Sequence, residues 1–127
     1  MYNRHMNVRI KTKDYEPTGA VKKYLDIRIA ALEKLLGSDA AVSRCEVEIG
    51  RAAGKQRHGE HLYFAEFLIR APRRKPVRAV NHEASINAAI DNAKEEAMRQ
   101  LRKQKTVSQT RTKKEGARVK RSLKLGR

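Results

Sequence analysis

Arg99 and Lys103 lie four residues apart in a stretch whose apolar residues recur at helical spacing, and Lys94, Arg102 and Lys105 fall along the neighbouring flank. Side chains separated by four positions stack on one side of a helix, so these cations form ridges of charge. A second helical stretch adds Lys22, Lys23, Arg28 and Lys34, and a strand-like segment adds Arg78. The chemistry open to such a set is charge-assisted hydrogen bonding to oxyanions, above all to phosphate. It requires no bond to be made or broken. Any one of these cations could serve only as a solvated surface group. As a set they exceed that need, because solubility of a small domain asks for a net charge of only about 2–8.

Other chemistry is poorly represented. His58 and His61 are three residues apart in a polar stretch, but two ligands do not make a zinc site. The single cysteine, Cys45, falls in a strand pattern and reads as a small buried apolar residue. Glu46 and Glu48 share one side of that strand and alternate with apolar residues, the pattern of a solvated sheet surface paired across to Arg70 or Arg78. There is no phosphate-binding loop, dinucleotide glycine fingerprint or nucleophile motif. The reading is therefore a binding protein with no catalytic residues, no metal and no cofactor.

The charge balance points the same way. Thirty Lys+Arg against fourteen Asp+Glu leave +16 on 127 residues, a field that draws polyanions and speeds their encounter. The excess is uneven: residues 1–48 are mildly basic, whereas between Arg111 and Arg127 the cations are opposed by Glu115 alone. Aromatic residues make up 5% and tryptophan is absent, so base stacking is a poor basis for recognition. Shape and phosphate contacts on folded RNA fit better. No apolar run approaches the roughly 18 residues that span a bilayer. With a lone cysteine and no secretory signal pattern, the expectation is a soluble cytoplasmic protein.

The elements that carry these cations follow from periodicity. Met6, Val8 and Ile10 alternate with polar residues as a half-buried strand does. Thr18 can cap a helix whose stripe is Val21, Leu25, Ile29, Leu32 and Leu36, closed by Gly37 in a left-handed conformation. Cys45, Val47 and Ile49 mark a second strand, followed by a polar hairpin connection over residues 50–59. The longest strand is expected over residues 62–71, with Ala65, Phe67 and Ile69 on one side. Pro72 and Pro76 bracket a turn before a short fourth strand over residues 77–80. A second helix is predicted over residues 81–104, with Ile86, Ile90, Ala93, Ala97 and Leu101 as its stripe. The fold class is α+β: β-α-β-β-β-α, a two-layer sandwich in which both helices cover one face of a four-stranded mixed sheet. Residues 1–5 are a short extension, 6–105 the domain, and 106–127 a disordered basic tail, since Val107, Val119, Leu123 and Leu125 are too sparse to bury one another.

The stretch MNVRIKTKDYEPTGAVKKYLDIRIAALEKLL, with NAAIDNAKEEAMRQLRKQK near the other end, resembles the bacterial ribosome hibernation-promoting factors, or ribosome-associated inhibitors. The likeness spans about residues 6–105 in the family's element order. Its most specific parts are Ala-Ala-Ile-Asp at 88–91 and Arg-Gln-Leu-x-Lys-x-Lys from Arg99 to Lys105. The resemblance implies a partner, the small ribosomal subunit and its ribosomal RNA. There the protein would occupy the channel of messenger and transfer RNA and inhibit translation sterically, under stress or in stationary phase, as a monomer when off the ribosome. Arg28, Arg78, Arg99, Lys103 and Lys105 match basic positions of the family. Ser85-Ile86-Asn87 stand where the family usually has Asp-Met-Tyr, and Ala31 and Glu96 where a lysine is common. The chain ends before the ribosome-dimerising domain of the long form, so the resemblance is to the short form. The expected RNA-binding set is Lys22, Lys23, Arg28, Arg78, Lys94, Arg99, Arg102, Lys103 and Lys105. The alternative is a general structured-RNA-binding module of ribosomal or ribosome-assembly type.

Overall fold

The computed structural model describes residues 5–53 and 61–104. Strand β1 (Asn7–Lys13) is followed by helix α1 (Gly19–Leu36), a 3-10 helix (Gly37–Val42), β2 (Arg44–Arg51), β3 (Tyr63–Arg70) and β4 (Val77–Glu83). Helix α2 then runs over residues 86–104. The strands lie in the order β1-β2-β3-β4. β1 pairs with β2 in parallel, and the other two pairs are antiparallel. This is the expected β-α-β-β-β-α arrangement with a mixed four-stranded sheet.

Local chemistry sets the ends of the elements. The Thr18 hydroxyl accepts a hydrogen bond from the Val21 amide at 3.2 Å, satisfying one of the free donors at the start of α1. Gly37 closes α1 at φ 62° and ψ −129°. That is a positive-φ conformation open to glycine, though outside the left-handed helical basin proper. Ser85 caps α2, its hydroxyl accepting from the Ala88 amide at 3.2 Å.

One core joins the helices to the inner sheet face. Val21, Leu25, Ile29, Leu32 and Leu36 from α1 and Ala89, Ile90, Ala93, Ala97 and Leu101 from α2 are buried in it. They meet Cys45, Val47 and Ile49 of β2, Ala65, Phe67 and Ile69 of β3, and Val77 and Ala79 of β4. The alanines on α2 are the reason it can approach the sheet closely, since a small side chain sets a short interlayer distance.

Four expectations are corrected. β4 extends to Glu83, because β3 is long enough to pair Asn81, His82 and Glu83 with Ala65, Phe64 and Tyr63. Helix α2 therefore starts five residues later than predicted, at the Ser85 cap. The longest strand is not β3 alone, since β2 and β3 both span eight residues. Ile10 is 44% exposed, because β1 lies at the sheet edge where the helical layer no longer reaches over it. The expected terminal extension (apart from His5) and the expected tail lie outside the described residues, as do His58 and Lys105.

Candidate nucleic-acid interface

The edge of β4 and the facing side of α2 enclose an open groove. Arg78 of β4 and Arg99 and Arg102 of α2 are among the residues that line it. Helix α2 is held along this edge by side-chain amides. Gln100 donates to the Arg78 carbonyl at 3.1 Å, and Gln104 donates to the Lys75 carbonyl at 3.1 Å. The Arg74 guanidinium donates to the Leu101 carbonyl at 3.2 Å, a third tie at the same end. The free edge of an outer strand is thus covered, and arginines from two elements line one open surface. Arginine's fork of donors is suited to phosphate, and a groove lined this way can hold an RNA backbone by its charge.

Carboxylates are placed among these cations. Arg99 donates to both oxygens of Glu96, at 2.6 and 2.8 Å, and Gln100 donates to the same carboxylate at 3.1 Å. The Arg99 bonds first, then that of Gln100, hold the Glu96 carboxyl down at about 2. Glu96 in turn raises the pKa of Arg99. Arg78 binds Glu66 across the sheet, with bonds of 3.0 and 3.3 Å. Its partner was expected to be Glu46 or Glu48. The register instead sets Arg78 opposite Leu68, which leaves Glu66 as its diagonal neighbour on β3.

The other expected RNA-binding residues are dispersed. Arg28 donates to Asp91 at 3.0 Å, and its guanidinium lies 3.8 Å from the Tyr24 ring centroid. It therefore joins α1 to α2 and also stacks on its own helix. Lys94 is only 12% exposed and forms an ion pair with Glu95. Lys103 is exposed one turn beyond Arg99, and Lys23 is exposed on α1. Lys22 is exposed on α1 beside β1 and lines a different hollow. Arg102 thus shares a surface with Arg99 and Arg78, whereas Lys94 is not among the groove's walls.

Sequence reading missed Gln100, Gln104 and Arg74, which position the groove without being part of a charged ridge. The spacing of Gln100 and Gln104, one turn apart, was the available signal, but their acceptors on the β3–β4 turn and β4 are set by the fold. Burial raises the Cys45 thiol to about 12, helped by Glu33 and Glu46, so the residue is an inert part of the core. Among the described residues no three His, Cys, Asp or Glu side chains converge as metal ligands, and no helix is long and apolar enough to cross a membrane.

Comparison with curated proteins returns no match. Among solved structures, the fold is similar to the Thermus thermophilus Protein Y N-terminal domain, at a TM-score of 0.62 and 23% identity. That alignment covers 77% of this chain and 98% of the Thermus chain. It is also similar to a ribosomal subunit interface protein from Coxiella burnetii, at a TM-score of 0.61 and 10% identity, covering 80% of this chain and 99% of that one. At these identities the two structures speak for the fold. Membership is carried by the sequence itself: the model of the family described as "Sigma 54 modulation protein / S30EA ribosomal protein" matches residues 8–109, and this chain belongs to that family.

Proposed function

We propose that this protein is a ribosome hibernation factor, a cytoplasmic, non-catalytic protein that docks on the small ribosomal subunit and stills translation by occupying the messenger and transfer RNA channel. The observation that carries the reading is the family match over residues 8–109, which spans nearly all of the described domain. The groove between β4 and α2 supplies the means. Arg78, Arg99 and Arg102 line it from rigid elements, which suits binding to a fixed RNA backbone. Binding exchanges the carboxylate partners of Arg78 and Arg99, Glu66 and Glu96, for phosphates. Lys103 extends the basic surface along α2, and Lys105 with the basic segment 106–127 adds non-specific attraction. Lys22, Lys23, Arg28 and Lys94 are secondary in this scheme, because they do not line the groove.

Sedimentation tests the proposal. The purified protein should travel with the small subunit through a gradient at moderate salt, and messenger RNA with initiator transfer RNA should displace it. Failure to co-sediment would sink the reading. Co-sedimentation that those RNAs leave untouched would point instead to a general structured-RNA-binding or assembly protein.

A further inference from the structure

We propose that a hollow between β1 and α1 is the seat of the protein's own C-terminal segment, residues 119–125, bound in cis when no RNA is present. The inference is independent of the ribosome reading. It begins with the incomplete cover over β1. Met6 is buried and Val8 packs against the core, but Ile10 is 44% exposed, and among the described residues β1 pairs only with β2. The hollow left there has an apolar floor of Ile10, Leu25 and Ile49. Tyr15 and Pro17 contribute to its walls, and its rim carries Asp14, Glu16 and Asp26 against the single cation Lys22.

In a chain with a net charge of +16, an apolar hollow rimmed by three carboxylates is chemically out of character. It suits a segment in which apolar residues are interleaved with cations. The chain carries such a segment: Val119, Leu123 and Leu125 alternate with Arg118, Lys120, Arg121 and Lys124. These three apolar residues are too widely spaced to bury one another, so they need a surface supplied from elsewhere. Leu123 lies nineteen positions beyond Gln104. At about 3.3 Å per residue that reach is on the order of 60 Å, beyond the ~34 Å across a domain of this size. Tethering sets the effective concentration of tail and hollow in the millimolar range, so even weak contacts are populated. RNA competes for the same cations, and binding it releases the segment.

Paramagnetic relaxation tests this on the full-length chain. Substituting Ser122→Cys and attaching a nitroxide labels the tail alone, since Cys45 is buried with its thiol raised to about 12. The expected result is a more than twofold loss of amide signal at Ile10, Thr12 and Asp26, with little loss at Arg44 and Arg70, which mark the other end of the sheet. Two perturbations should each restore the signals. One is Asp26→Lys with Asp14→Asn, asparagine being chosen because position 14 has φ 48°. The other is Leu123→Asp with Leu125→Asp, which leaves the domain's own residues unchanged. Uniform weak broadening overturns the proposal, as does selective broadening that both variants leave intact. Broadening seen only when spin-labelled and isotope-labelled molecules are mixed would assign the hollow to a second copy and overturn binding in cis.

Discussion

Arg99 and Glu96, one helical turn apart on α2, share two hydrogen bonds of 2.6 and 2.8 Å, so a principal cation of the groove is already neutralised in the free protein. Arg78 is in the same condition through Glu66. RNA binding at this groove is therefore an exchange of carboxylate for phosphate, and the paired carboxylates tune it.

Replacing Glu96 by Gln should free Arg99 and strengthen binding to small-subunit ribosomal RNA severalfold. The salt dependence of binding should also steepen, by about 0.7–0.9 in log–log slope for one added phosphate contact. Arg99→Ala should do the reverse. Fluorescence anisotropy across a salt series reads both quantities.

The same pair predicts a pH response. Glu96 is depressed from its ordinary 4.5 to about 2, so the pair's contribution is present above about 4.5 and is lost as pH falls towards 2. The carboxyl carbon of Glu96, followed by NMR, should titrate near 2 in the native chain. In Arg99→Ala its midpoint should return towards 4.5. Near neutral pH the competing carboxylate is always ionised, and RNA affinity should show no titration from this residue.

Arg28 should behave as a structural residue. Its bond to Asp91 and its stacking on Tyr24 tie the two helices together, so Arg28→Ala should destabilise the fold by on the order of 1–2 kcal/mol. A urea midpoint measures this. RNA affinity should fall less than for Arg99→Ala, and Asp91→Asn should reproduce much of the stability loss.

Gly50 is required by a close approach of backbones. A Cβ there would lie 2.1 Å from the Lys13 carbonyl oxygen, an atom that cannot move without displacing β1. Gly50→Ala should therefore cost about 1–3 kcal/mol or more, as overpacking does. It should also loosen β1 first, and faster hydrogen exchange at Ile10 and Thr12 in the variant would report that.

Much of the fold was legible because its cues are local. Thr18, Gly37 and the Val21-to-Leu36 stripe act within a few residues of one another, and the alternation at Ala65, Phe67 and Ile69 faces the core as the pattern required. The start of α2 was not legible in the same way. Asn81, His82 and Glu83 were taken into the strand by partners on β3 some twenty residues earlier in the chain. Gly50 read as the start of a loop, yet it is a paired position of β2 whose constraint comes from β1.

The strongly basic character of the chain, the recurrence of cations along two helices and the apolar side of each helix and strand can all be read from the residues in order. Composition and short-range periodicity are sufficient for that. Which cations share a surface, and which are already paired, depends on how the elements pack. Arg28 meets Asp91 across 63 positions, Arg78 meets Glu66 across the sheet, and Gln100 anchors α2 to the β4 backbone. Coulomb interactions depend on distance in space, and strand register and helix placement bring these partners together.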